Sequence, residues 1–207
     1  MNELLKMTAH QVKEGKFDKV ILAIGSCEAH GQHLAEGCDT IVSYELSKQV
    51  ADRVPGMLVL PPITVGYSGH YDTFPFTLTF DYETMIHVIY DIVESVLRNG
   101  INKIFLMNGH DGNIAPIEIA ARKIKEKYPD ARIASLPEWW VIAGKLVPEG
   151  TFAVWNGLGH AGEGETSIAY HLFPQWCEPD QATCVVPDHL PEHVDIKWDF
   201  AEITDTA

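Results

Sequence analysis

Lys19-Val20-Ile21-Leu22-Ala23-Ile24-Gly25 is the stretch that decides the fold: a continuous apolar run bounded by Asp18 and Gly25. A strand with one wet face alternates polar and apolar residues. An unbroken run reads instead as a strand buried on both faces, as in a parallel sheet. Upstream, residues 1–16 predict an amphipathic helix with Leu4, Leu5, Met7 and Val12 on its apolar side. Downstream, Asp39 stands at the N-cap position before the periodic residues Ile41, Leu46 and Val50. Residues 57–65 read as a strand that Pro61 and Pro62 push toward an edge or an irregular exit. Residues 81–100 predict a helix capped by Asp81 and closed by Gly100. Residues 103–108 are a further buried strand, followed by a loop and a helix over 114–127. Residues 131–137 add another strand, 138–146 a short helix and 165–173 a further helix. This alternation predicts an α/β fold: a three-layer α/β/α sandwich with a mainly parallel sheet.

The 207 residues suit one domain spanning 1–207. Residues 178–207, rich in proline and acid, match no motif and leave open an ordered tail, a partner contact or disorder. Twenty-nine acids against 15 Lys and Arg give a net charge of −14, which argues against nucleic acid as a partner. No stretch approaches the roughly 18 apolar residues of a membrane helix, and the polar N-terminus lacks the apolar segment of a signal peptide. The expectation is therefore a cytoplasmic protein with no membrane partner. Cys27, Cys38, Cys177 and Cys184 show no CxxC spacing and no disulfide framework. Cys27 and Cys38 stand beside the acids and histidines discussed next, so both thiolate ligation and simple burial remain open.

Three polar clusters lie where strands give way to helices, the place where open α/β sheets form their sites. The first is Gly25-Ser26-Cys27-Glu28-Ala29-His30-Gly31-Gln32-His33, with Asp39 following. In an extended segment Glu28 and His30 face the same way, Gly31 permits a sharp turn, and Asp39 can return to the same place. One imidazole with two carboxylates suits zinc or manganese, and one carboxylate could bridge two ions. The second is Asn108-Gly109-His110-Asp111-Gly112-Asn113, and the third Gly159-His160-Ala161-Gly162-Glu163-Gly164-Glu165-Thr166-Ser167. Each has a plainer reading when taken alone. Asp39 caps a helix, Asn, Gly and Asp make a turn, and acid at Glu165 suits a helix start.

Taken together, these motifs resemble the creatininase (creatinine amidohydrolase) family. Glu28-Ala29-His30-Gly31-Gln32-His33-Leu34, with Asp39 eleven residues after Glu28, is similar to its Glu-x-His-Gly-x-His-Leu signature. Asn108 to Asn113 resembles its Asn-Gly-His-Gly-Gly-Asn turn, and His160-Ala161-Gly162 leading to Glu165-Thr166-Ser167 its His-Ala-Gly-x-x-Glu-Thr-Ser segment. Gly66-Tyr67-Ser68-Gly69-His70, before Phe74-Pro75-Phe76-Thr77, is more loosely similar to a substrate-side Ser-x-x-His and Phe-Pro-Gly-Thr region. The likeness runs in order over residues 20–172.

The resemblance implies two divalent ions (zinc, manganese or iron) held by Glu28, His30, Asp39 and His110, with Asp39 bridging. In creatininase proper a Glu lies two residues after the matching histidine, where this chain has Gly112. Glu165 is the expected substitute and Asp111 the alternative. His160 matches the catalytic histidine that handles the leaving-group proton, while Ser68, His70 and Asp111 fall on the substrate side. The implied activity is hydrolysis of a C–N bond in a small cyclic amide or formamide, by a homo-oligomer, hexameric in the family. Two other readings stand beside it: a same-fold hydrolase of a cyclic ketone or polyol derivative, and a non-catalytic metal-binding protein. Trp139, Trp140 and Trp155 either line a pocket for a flat ring or pack at sheet edges.

Overall fold

The computed structural model of the protein describes residues 2–186, 197 and 199–205. Four strands form one parallel sheet: β1 (Lys19–Ile24), β2 (Met57–Val59), β3 (Lys103–Asn108) and β4 (Arg132–Leu136), in the order β2-β1-β3-β4. β1 pairs with β2 from Lys19↔Met57 and with β3 from Val20↔Ile104 to Ile24↔Asn108. Among the described residues six α-helices accompany them: α1 (Ala9–Glu14), α2 (Cys38–Arg53), α3 (Tyr82–Arg98), α4 (Ile114–Lys127), α5 (Trp139–Leu146) and α6 (Glu163–Leu172).

The expected burial of β1 on both faces holds, and alternation decides which face each side chain meets. Val20, Leu22 and Ile24 pack with Met85, Ile89 and Val93 of α3 and Ile117, Ala120 and Ile124 of α4. Ile21 points the other way, into a cluster with Ala51 of α2 and with Val59 and Met107. Leu34, Cys38 and Val42 continue that layer with Trp139, Ala169 and Phe173, which brings α5 and α6 over the same face. The result is helix, sheet, helix. Each large apolar β1 side chain is fully enclosed and contributes about 1.5–3 kcal/mol of burial, so the central strand is a costly place to introduce polarity.

Three local expectations are corrected. Residues 1–16 are not one helix: a single 3-10 turn at Leu4–Lys6 ends, and α1 restarts at a capping box in which Thr8 and Gln11 satisfy each other's backbone N–H. Residues 57–65 hold only a short strand, because Pro61 and Pro62 bring no N–H. Pairing resumes where Ile63 donates to Ala23 O at 3.0 Å. Asp39 is not the cap of α2. Gly37 holds that position, and Asp39 lies in the first turn with its side chain turned inward. In the segment 178–207, single 3-10 turns form at Pro179–Gln181 and Phe200–Glu202, while 187–196, 198, 206 and 207 lie outside the described residues.

This topology has one consequence for function. The strand order reverses between β1 and β3, and a crevice forms beyond the carboxyl ends of such a pair. The loops leaving these strands carry residues 25–37 and 109–113.

Candidate metal centre

The turn after β3 is built by its two asparagines. Asn108 Oδ1 accepts from His110 N, and its Nδ2 donates to His110 O and Pro137 O. Asn113 Nδ2 donates to Gly25 O at 2.9 Å while its Oδ1 accepts from Tyr67 N at 3.0 Å, tying the turn to β1 and to the 66–71 segment. Gly109 is required because a Cβ there would lie 2.4 Å from Asp39 O, so the turn presses directly on the start of α2. His110 is thereby aimed at Asp39.

Five side chains from four segments meet here. His110 Nδ1 lies 3.1 Å from Glu28 Oε1 and 3.1 Å from Asp39 Oδ2, and His30 Nε2 lies 3.0 Å from Asp39 Oδ1. The two oxygens of Asp39 therefore face different imidazoles. Ser26 Oγ donates to Asp39 Oδ2 at 2.7 Å and fixes the carboxylate plane. Glu165 reaches in from the first turn of α6, where its Oε2 accepts from Ala161 N at 2.8 Å. Among the described residues, three groups could hold a cation: Glu28, Asp39 and His110; His30, Asp39 and Glu165; and Glu28, His30 and His160.

Backbone carbonyls set the tautomers. A carbonyl only accepts, so His30 donates from Nδ1 to Glu28 O (3.1 Å) and His110 donates from Nε2 to Tyr67 O (2.7 Å). The remaining nitrogens, His30 Nε2 and His110 Nδ1, are the ones facing the carboxylates, which is how ligating imidazoles are held. His160 likewise donates Nε2–H to Ala29 O at 2.6 Å, leaving Nδ1 with its lone pair. His33 donates to Thr166 Oγ1 at 2.8 Å and ties the first cluster to α6, outside the ligand groups.

The electrostatics describe buried charge without Lys or Arg. Burial works to raise Glu28 and Asp39, but His110 for the first and His30 for the second outweigh it, and both end below their usual values. Burial lowers His30 and His110, yet Asp39 takes His30 up to about 10 and Glu28 takes His110 well above its usual value. Glu165 is pushed up to about 7 by burial, with Asp39 adding to it against His30. His160 falls to about 3 through burial reinforced by His30. Glu28 is the tell-tale. It is 0% exposed, and neither carboxylate oxygen makes a directed hydrogen bond despite the nearby imidazole. His110 is the nearest positive partner for this carboxylate, and its remaining desolvation cost is what a cation would offset. The donor set fits a divalent metal.

Of the other expected residues, Ser68 is fully buried with an unpartnered Oγ, and His70 stacks on His110 at 5.7 Å. Asp111 is exposed, in the single turn after His110, and belongs to none of the three ligand groups. Gly112 explains why no acid stands there. A Cβ would lie 2.2 Å from Tyr67 O and 2.6 Å from His110 Nε2, so the turn as folded has no room for a side chain. Cys38 packs in the apolar layer and Cys27 is half-buried, neither within a ligand group. Trp139 is core, Trp140 packs against it, and Trp155 is exposed. Tyr71 escaped the sequence reading, although the Ser-x-x-His spacing counted from Ser68 lands on it rather than on His70. Its ring is 4.4 Å from that of His160.

Comparison with known proteins agrees with this geometry. The pattern of the Creatininase family, described as creatinine amidohydrolase, matches residues 5–207. Creatinine amidohydrolase of Pseudomonas putida is 31% identical over 187 residues, covering 83% of this chain and 69% of the relative. The chain belongs to the creatininase family. That is a family of metal-dependent amidohydrolases, and it reaches beyond creatinine. Mycofactocin precursor peptide peptidase of Mycobacterium ulcerans (strain Agy99) is 27% identical over 183 residues, 84% of this chain and 66% of that protein. The chain thus spans about two thirds of these curated relatives. Among solved creatininases, a manganese form superposes with a TM-score of 0.80 at 27% identity, covering 99% of this chain and 86% of the other. A zinc–zinc variant gives 0.78 at 28%, covering 99% and 85%. A variant complexed with creatine gives 0.80 at 27%, covering 99% and 86%. No described helix is long and apolar enough to cross a membrane.

Proposed function

We propose that this creatininase-family chain hydrolyses a C–N bond of a small amide at a two-metal site. The observation that carries the reading is Asp39, whose Oδ1 faces His30 and whose Oδ2 faces His110. A carboxylate placed so is a natural bridge. Glu28, Asp39 and His110 would hold one ion, and His30, Asp39 and Glu165 the other, with Glu165 taking the place of the acid absent at Gly112. Zinc or manganese suits these ligands, and iron is the further candidate. Two such ions supply Lewis acidity, acidifying a water and polarising a carbonyl oxygen.

The chain's own residues then handle the proton. Because Ala29 O retains the Nε2–H of His160, Nδ1 presents its lone pair. Burial and a charged His30 keep the ring neutral at rest. With His30 neutral as a ligand, Nδ1 would take up a proton during the reaction and return it to the departing nitrogen. An amine leaves poorly as an anion, so this transfer is required for C–N cleavage. His70 lies against His110 and Tyr71 against His160, and with Ser68, whose buried Oγ has no partner, they are proposed to position the substrate. Cyclic amides, formamides and short peptide amides are the substrate classes to compare, given relatives that act on creatinine and on a peptide.

Elemental analysis of the purified protein, followed by a panel of creatinine, other cyclic amides, formamides and short peptides, tests the reading. Two ions per chain and turnover of one amide class are expected. One ion per chain rejects the bridge, and turnover of cyclic ketones alone rejects amide chemistry. The homo-oligomer, a hexamer by resemblance, is checked by light scattering.

A further inference from the structure

Two columns of imidazoles lead outward from the buried carboxylates. His30 faces His160 with ring centroids 4.4 Å apart, and His110 stacks on His70 at 5.7 Å with planes 5° apart. Tyr71 stands between the outer members, 4.4 Å from each of them. Phe200 covers all three rings. It lies 4.4 Å from Tyr71, 5.2 Å edge-on from His160 and 6.3 Å from His70. Phe200 is half-buried, whereas Tyr71 is 3% exposed, so Phe200 is the layer next to solvent.

The turn that carries Phe200 is folded in its own right. Glu202 N donates to Asp199 O, and Ile203 N and Thr204 N both donate to Phe200 O. With Ala29, Tyr71 and Phe74, Phe200 makes a small apolar cluster separate from the three that pack the sheet. A cluster this small does little for the fold as a whole. Its placement against His160 is the more telling property.

We infer that Phe200 is a positioning residue of the active site: it forms the outer wall that presses Tyr71 onto His160 and limits solvent access to that half-buried imidazole. The inference rests on the proposed proton-carrying role of His160. Ala29 O holds one edge of the His160 ring and His30 lies 4.4 Å from it, which leaves the outer side of the ring some freedom to swing. The faces of Tyr71 and Phe200 remove that freedom, and edge-to-face packing is directional enough to do so.

The test uses full-length protein loaded with manganese or zinc, as wild type and as Phe200→Ala, Phe200→Leu and Phe200→Tyr. His160 is probed with diethyl pyrocarbonate and its modification followed by peptide mass spectrometry, alongside metal content and melting temperature. In Phe200→Ala the modification of His160 should accelerate about 2- to 10-fold, the factor an aromatic contact holds. Phe200→Tyr should restore protection, and metal content should stay constant throughout. Where turnover is measured, kcat should fall more than KM rises. Phe200→Leu keeps apolar volume without a flat ring, so it should remain unprotected even if Phe200→Ala is poorly folded. Wild-type protection in Phe200→Leu would make the residue an apolar filler and overturn the inference, as would loss of metal from a folded variant. Since His160 protection is read without turnover, a failure of the amidohydrolase reading is seen separately, in metal stoichiometry and in the substrate panel.

Discussion

The two ends of the sheet carry the same kinds of charge and treat them in opposite ways. At the amino end, Asp18 pairs with Lys103 at 2.6 Å and with Lys19, and its carboxylate is 51% exposed. At the carboxyl end, Glu28 and His30 are 0% exposed, Asp39 and His110 are 4% exposed, and among the described residues no Lys or Arg appears as their ion-pair partner. Water and salt screen the first pair, which is worth little to stability. The second group is shielded from water, and its desolvation is offset only by the histidines or by a cation. Acidic residues therefore mean little by type alone. Burial among histidines, with no Lys or Arg alongside, is what distinguishes this site from the surface.

The largest effect should come from Asp39→Asn, which removes the shared carboxylate charge and keeps its shape. Metal affinity is expected to fall by more than about 100-fold, since losing even a partner of a ligand costs about 10- to 100-fold. Elemental analysis after dialysis reads this directly, and retention of both ions would break the contrast between the two ends. His160→Ala should come next. Its metal content is expected to stay at the wild-type level while turnover drops about 10²- to 10⁴-fold, the usual contribution of a positioned acid or base. Unchanged turnover would remove His160 from the reaction.

Metal loading should be visible in stability and in protons. At a free metal concentration about 100 times Kd the folded state gains about 2.7 kcal/mol. For a chain of this size each kcal/mol is about 2–4 °C, so the melting temperature should rise by about 5–10 °C. His30 and His110 are both raised by their carboxylates and hold protons near neutrality in the metal-free protein. Ligation needs neutral imidazole, so metal uptake must release protons and affinity must rise with pH. Calorimetry in buffers of different ionisation heat measures this, and an absence of released protons would leave the imidazoles out of the ligand set. Asp18→Asn should have the smallest effect. Its ion pairs with Lys103 and Lys19 hold Asp18 down to about 2. A depressed carboxylate contributes fully above its unfolded value near 4, and that contribution fades as pH falls toward 2. Melts of wild type and Asp18→Asn should thus converge in strong acid and in high salt. A gap that persists in salt would mean that the amino end is less screened than its exposure indicates.

Much of this contrast was readable before any coordinates. An apolar run such as 19–25 has few ways to satisfy both its backbone and its side chains, and a doubly covered parallel strand is the main one. The helices at 81–100 and 114–127 follow from period and caps in the same way. The extents of α1 and β2 did not, because Thr8 restarts a helix that composition alone would continue and Pro61 interrupts a strand that hydrophobicity would extend. Asp39 suited an N-cap equally well by sequence. Only the contact of Gly109 with Asp39 O shows that the turn after β3 presses on the first turn of α2.

Local pattern, then, determined the elements, the doubly covered sheet and the ligand types at its strand ends, since period, caps and motif spacing act over a few residues. The meeting of residues 28, 39, 110 and 165 was implied only through the resemblance. Tertiary structure shows it by distance, shows that Gly112 has no room for a side chain, and alone shows that Tyr71 and Phe200 pack against His160. Those facts depend on how segments as much as 170 residues apart meet in space. Sequence spacing cannot report such a distance, because packing across a sheet obeys volume and direction rather than chain order.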